Sequence, residues 1–270
     1  MRRRTGHNPQ EHLMLSTDYT PGTPRWIDLG SPDVKATDAF YTSLLGWEKE
    51  DAGPEAGGYG FYRSGGKRIG GVGPVMDPSA TPAWTIYFGT DDAEAAVRAV
   101  EQAGGKVRVP ASDVMGFGRM AQFTDPQGGE FAVWQPQLTK GFDIAGVPVS
   151  LSWTELHTAD AEAARGFYTS VFGWSLTDND MGEFTYTVAS MGSDESSFGG
   201  LMGHFPGETV TMWLPYFEVA DCDATVAKVA ELGGAVLMGP ASLEGVGRMA
   251  SVRDPHGSLF SVIASAPQAR

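Results

Sequence analysis

The sequence predicts an α+β protein built from four β-α-β-β-β modules paired into two domains. The first observation behind this is internal repetition. Trp26 to Leu29, leading to Phe40-Tyr41-Thr42-Ser43-Leu44-Leu45-Gly46-Trp47, is answered 127 residues later by Trp153 to Leu156 and Phe167-Tyr168-Thr169-Ser170-Val171-Phe172-Gly173-Trp174. The echo continues through Gly70-Gly71 and Gly199-Gly200, Gly118-Arg119-Met120 and Gly247-Arg248-Met249, and Asp125-Pro126-Gln127-Gly128 and Asp254-Pro255-His256-Gly257. A period this long exceeds any solenoid repeat and marks two copies of a whole domain. The second observation is that each copy contains the same strand-helix-strand grammar twice, which makes two modules per domain.

Taken in order, Trp26 to Leu29 is a short strand ending at Gly30-Ser31-Pro32-Asp33, where Ser31 or Asp33 is the expected helix N-cap and Pro32 an early helical residue. Val34, Ala36, Ala39, Phe40, Leu44 and Leu45 recur at helical spacing until Gly46 stops the helix. Trp47 to Glu50, Tyr59 to Arg63 and Lys67 to Val72 read as three strands between Gly-rich turns. The second module repeats the pattern with a strand at Trp84 to Gly89, a helix over Asp91 to Ala103, and strands at Lys106 to Val109, Arg119 to Thr124 and Phe131 to Trp134. The expected boundaries are a flexible N-terminal tail over 1–23, a first domain over 24–136, a linker over 137–149 and a second domain over 150–265, each domain burying its own core.

Composition narrows the function. With 33 acidic against 19 basic residues the formal charge is −14, and no basic face interleaved with aromatics is present, so nucleic acid is not an expected partner. The basic cluster Arg2-Arg3-Arg4 has no apolar run behind it, so neither a signal peptide nor a membrane span is expected. Cys222 is the single cysteine, which suits a reducing cytoplasm. Its acidic neighbours Asp221 and Asp223 raise a thiol's pKa and argue against a nucleophile.

A strand, then an acidic residue and a helix ending in Phe-Tyr-x-x-hydrophobic-hydrophobic-Gly-Trp, and later Asp-Pro-x-Gly before a last strand, resembles the vicinal oxygen chelate superfamily of glyoxalase I, bleomycin-resistance proteins and extradiol dioxygenases. The tandem arrangement is similar to that of two-domain glyoxalase-like proteins of actinobacteria. The resemblance covers residues 24–136 and 150–264. It implies that paired modules curl eight strands of a mixed sheet into an incomplete barrel around a cleft, and that metal-dependent members hold a divalent ion with four side chains facing that cleft.

Transferred position by position, the first ligand falls on Trp26 and Trp153, the second near Gly70-Gly71 and Gly199-Gly200, the third on Thr85 and Leu214, and the fourth on Ala132 and Ser261. None is His, Asp, Glu or Cys. The histidines offer no substitute: His7 and His12 sit in the tail, His157 follows the strand, His204 is in a loop and His256 in the Asp-Pro-x-Gly turn. The expectation is therefore a protein without a metal or other cofactor.

Strand alternation shows what faces the cleft instead. If Trp26 points inward so does Asp28; likewise Trp153 with Glu155, Tyr87 with Thr85, Trp134 with Ala132 and Tyr216 with Leu214. An aromatic concavity holding one carboxylate emerges in each half, the second half being the more apolar. Two readings follow. The first is a small-molecule binder that stacks an aromatic metabolite or antibiotic among Trp26, Thr85, Tyr87 and Trp134, or among Trp153, Tyr186, Leu214, Tyr216 and Ser261. The alternative is a metal-free isomerase, cyclase or hydratase in which Glu155 or Asp28, its pKa raised by burial, is the general base. Tyr87 or Tyr216 would then donate a proton, and Glu155, with Tyr186 and His157 nearby, is the preferred base. Arg119 and Arg248 read as partners for acids near the sheet edge. No membrane partner is expected, and a chain that already contains a domain pair is expected to be a monomer or weak homodimer.

Overall fold

The computed structural model describes residues 15–75, 77 and 80–266. The first half runs β1 (Pro24–Ser31), α1 (Val34–Leu45), β2 (Glu48–Asp51), β3 (Gly60–Ser64), β4 (Lys67–Pro74), β5 (Ala83–Gly89), α2 (Ala93–Gln102), β6 (Lys106–Asp113), β7 (Gly118–Thr124) and β8 (Glu130–Pro136). The second repeats it as β9 (Leu151–Thr158), α3 (Ala161–Phe172), β10 (Ser175–Asp180), β11 (Thr185–Ser190), β12 (Gly199–Gly203), β13 (Met212–Glu218), α4 (Cys222–Glu231), β14 (Ala235–Leu243), β15 (Gly247–Arg253) and β16 (Leu259–Ser265). The four β-α-β-β-β modules are thus present. The helices begin on aspartates whose carboxylates accept a backbone N–H three residues on: Asp33, Asp92, Asp160 and Asp221. Ser31 is not the cap; its hydroxyl binds the Asp33 N–H and Thr37. Gly46 and Gly173 end α1 and α3 in the left-handed conformation, at φ 72° and 71°.

Each half forms one open eight-stranded mixed sheet, ordered β2-β3-β4-β1-β5-β8-β7-β6 and β10-β11-β12-β9-β13-β16-β15-β14. At the centre, β1 pairs parallel with β4 and antiparallel with β5, which sets Asp28 opposite Gly71 on one side and Thr85 on the other. The same register sets Glu155 between Gly200 and Leu214. Ile27, Leu29, Ile86 and Phe88, on the alternate face, are fully buried in the core, as alternation predicts.

Two expectations are corrected. The halves do not bury separate cores: one apolar cluster spans residues from both. Phe88 of β5 packs on Trp174 and Trp213, and Phe217 of β13 packs on Trp47 and Trp84, with ring centroids 5.1 to 5.3 Å apart. The repeat motifs supply matching polar ties. The Tyr168 hydroxyl donates to Asp125 (2.8 Å) and that of Tyr41 to Asp254 (3.3 Å), so each helix tyrosine bonds the Asp-Pro-x-Gly turn of the other half.

The expected flexible tail is packed from Leu15 onward, because Arg25 is a fully buried cation that needs oxygen acceptors. Its guanidinium donates to the carbonyls of Thr17 and Asp18, while Gly22 and Thr23 pair with Gly89. Residues 1–14, with His7, His12 and Arg2 to Arg4, lie outside the described residues. Among the described residues no helix is long and apolar enough to cross a membrane.

Candidate functional site

The second half encloses a cavity of about 670 Å³ on the sheet face opposite the shared core. Its size is that of a drug-sized ligand site. Trp153, Glu155, Tyr186 and Tyr216 all line it. Leu214 and Ser261 share that face of the sheet but lie buried in its floor, Leu214 packed with Tyr216 and Ile263, and Ser261 bonded to Ser251 at 3.0 Å. The rest of the wall is mainly apolar, with the flexible side chains of Met181, Met202, Met238 and Met249 beside Phe184 and Phe205, and it also carries Glu218 and Glu244.

Glu155 anchors the polar end. Its Oε1 accepts from Tyr216 and from His157 Nε2, and its Oε2 accepts from Tyr186, each at 2.7 Å. Trp153 Nε1 donates to the Tyr186 oxygen at 2.7 Å. Behind Glu155, His157 Nδ1 meets both oxygens of Glu208 at 3.0 Å, and Glu208 also accepts the Phe205 N–H. Both imidazole nitrogens therefore face carboxylates, an arrangement satisfied only when both carry protons. Burial disfavours the charged imidazole, but Glu155 and Glu208 outweigh it and raise the His157 pKa. Burial likewise pushes Glu155 up, yet the bonds from His157, Tyr216 and Tyr186 bring it below its ordinary value. This corrects the expectation of a raised pKa at Glu155: three donors on a buried carboxylate favour its charged form.

The first half has the same frame in a sparser form. Asp28 Oδ2 accepts from Tyr87 at 3.0 Å and Tyr59 at 3.3 Å, and Trp26 Nε1 donates to Tyr59. Here burial dominates and raises the Asp28 carboxyl to about 6, against the lowering effect of the two tyrosines. Gly30 and Gly73 pair where the second half pairs His157 and Met202, so no imidazole backs the carboxylate. Thr85 is half-buried opposite Asp28, while Trp134 is buried and tied through Nε1 to the Thr139 carbonyl.

The four positions that resemblance assigns to a metal do not fit one. Trp26 and Trp153, Thr85 and Leu214, and Ala132 and Ser261 bring no carboxylate, imidazole or thiolate. At the remaining position the space is filled by a phenol: a Cβ on Gly71 would lie 2.1 Å from the Tyr59 hydroxyl, and one on Gly200 2.2 Å from that of Tyr186. Among the described residues no group of three or more His, Cys, Asp or Glu is arranged to hold an ion.

The sequence sets His157 near Glu155, as the structure has it, whereas Tyr59 and Glu208 are not among its candidate residues. His157 lies within β9, two residues beyond Glu155, so extending the alternation by one step places it; Tyr59 is the repeat partner of Tyr186. Glu208 sits in an irregular loop and has no such signal. Arg119 and Arg248 bind Glu94 (2.8 Å) and Asp223 (2.7 Å), as expected of sheet-edge partners. Cys222 is buried at the start of α4, its thiol pushed up by burial and Asp223.

Residues 23–133 and 150–262 match the sequence profile of the Glyoxalase/Bleomycin resistance protein/Dioxygenase superfamily. The anthracycline biosynthesis protein DnrV of Streptomyces peucetius is 42% identical over 262 residues, covering 92% of this chain and 94% of the relative. Among solved structures, the 2,2',3-trihydroxybiphenyl 1,2-dioxygenase of Sphingomonas wittichii superposes with a TM-score of 0.64 at 17% identity, covering 91% of each chain. The Mn(II)-bound glyoxalase of Novosphingobium aromaticivorans gives 0.60 at 19% identity, over 92% of this chain and 86% of the other. At such identities the likeness is one of fold.

Proposed function

The chain belongs to the Glyoxalase/Bleomycin resistance protein/Dioxygenase superfamily, and on that premise we propose that it is a metal-independent small-molecule-binding protein whose second half takes a flat aromatic metabolite. The observation that carries this reading is the lined cavity of about 670 Å³ with Glu155 held as an anion at its end. Methionine thioethers and aromatic rings adapt to an aromatic body. With Tyr186 and Tyr216 donating their protons to Glu155, the polar side of the cavity offers acceptors rather than donors, which favours a ligand bearing a hydroxyl or amine donor. The Streptomyces peucetius relative is by name an anthracycline biosynthesis protein, which makes polycyclic aromatics the first class to test.

Titration of the purified chain with an anthracycline, followed by calorimetry and tryptophan fluorescence, should give saturable one-to-one binding. Trp153→Leu should weaken it about tenfold by removing a ring of the wall. Absence of saturable binding, or stoichiometric transition metal in protein prepared without chelators, would refute the reading.

One observation favours a second reading. Asp28, raised to about 6, has the protonation balance of a general base near neutrality, with Tyr87 as the adjacent acid. Under this reading the first half is a metal-free isomerase, cyclase or hydratase site, with Asp28 rather than Glu155 as the base. Asp28→Asn would then abolish turnover of a bound metabolite while leaving its affinity in the second half intact. Turnover unchanged in that variant would exclude Asp28.

A further inference from the structure

We infer that the ligand of the second half is a cation, a planar aromatic carrying a protonated amine. This rests on the binding reading above and specifies the ligand's charge. No Lys, Arg or His lines the cavity among the described residues, while Glu155, Glu218 and Glu244 do. Glu155 is buried on β9; Glu218 and Glu244 belong to the end of β13 and the turn between β14 and β15. His157 does not neutralise this set, because it is shared between Glu155 and the further acid Glu208. The three lining carboxylates and Glu208 thus bring four acids against one imidazolium. Glu218 is held by the Ser265 N–H and hydroxyl, neutral donors that fix its position without cancelling its charge. No cation pairs with Glu244 among the described residues.

The repeat shows that this charge does not come with the fold. Of these acids only Glu155 has an acidic counterpart, Asp28, in the first half; Gly89 stands where Glu218 does, and Met115 where Glu244 does. The reverse holds on the neighbouring position, where the buried cation Arg25 of the first half is replaced by Ser152 in the cavity wall. The two halves share helices, caps and sheet register, yet the second brings three carboxylates to its cavity where the first has Asp28, Gly89 and Met115 at the matching positions. In a partly desolvated, low-dielectric site such carboxylates attract an ammonium and repel a carboxylate or sulfonate ligand. Trp153 and Tyr186 add ring faces that favour the same charge.

Three anthraquinones matched in ring system and differing only in one substituent test the inference: an aminoalkyl compound, its N-acetyl derivative and a sulfonate. The amine should bind the full chain at least about tenfold more tightly than the N-acetyl compound, and the sulfonate more weakly than either. The gap between amine and N-acetyl compound should shrink as salt is raised. Glu244→Gln, at an exposed turn position that folding does not depend on, should weaken the amine more than its N-acetyl counterpart. Equal affinities for amine and N-acetyl compound, or a preference for the sulfonate, overturn the cation inference and leave the aromatic-binding reading standing. No binding by any of the three overturns both.

Discussion

His157 has a carboxylate on each ring nitrogen and is almost fully buried, so its charge is tied to the folded state. Its folded pKa is raised above the ordinary value of about 6.5. The stability it contributes is therefore complete below that value and is lost as pH rises through the higher folded-state one. Glu155 works at the other end of the scale: its pKa is lowered, so its contribution is lost only as pH falls through that depressed value. Thermal unfolding followed from mildly acid to mildly alkaline pH should show a falling midpoint in the wild type and a flatter profile in His157→Gln. The variant should also be less stable at neutral pH by about 3 kcal/mol, because Glu155 stays buried without its cationic partner. Identical pH profiles would eliminate the pair as a source of stability. Alternation from Trp153 made Glu155 legible in the sequence with His157 near it, though His157 was read as following the strand and lies within it. Its position on the strand was obscured by the repeat, because Gly30 occupies the matching position and reads as the end of a strand.

At the scale of elements, β4 and β12 are what distinguish this cleft. Their paired glycines read in the sequence only as vacancies in a ligand set, whereas in the fold they are the floor over which a tyrosine lies, Tyr186 from the adjacent β11 and Tyr59 from just before β3. A missing side chain on one strand leaves no trace of the ring that fills its place from another, which is why Tyr59 was not singled out. Gly200→Ala places a methyl 2.2 Å from the Tyr186 hydroxyl and 2.4 Å from its Cζ, so the ring must move. Overpacking of this kind costs about 1 to 3 kcal/mol. It also breaks the Tyr186–Glu155 bond, so ligand affinity should drop together with stability, while Gly203→Ala on the same strand, where a Cβ meets nothing within 4 Å, should be nearly neutral. Equal effects from the two substitutions would contradict the filled-floor picture. The helices were the most legible elements, since Asp caps and terminal glycines carry their own chemistry.

Across the whole molecule the duplication is an interlock. Tyr168 bonds Asp125 and Tyr41 bonds Asp254, and the indoles of Trp47 and Trp174 donate to the carbonyls of Val149 and Gly22. Two domains were legible from the repeat, but which surfaces they hide from water was not, because a Tyr or Asp at a motif position does not say which copy supplies its partner. With one shared core, calorimetry should show a single unfolding transition in which both halves melt together. Tyr168→Phe should lower its midpoint by removing a donor from buried Asp125, at a cost of about 1 to 3 kcal/mol. Two resolved transitions, or an unchanged midpoint, would mean that the halves are coupled less tightly than their contacts indicate. The filled glycine floor also constrains descent. An acidic side chain introduced at position 200 collides with Tyr186, and losing Tyr186 first strips Glu155 and Trp153 of a partner. Each change alone carries its own cost, so a lineage that carries this cleft regains a side chain at position 200 at least expense by altering both residues together.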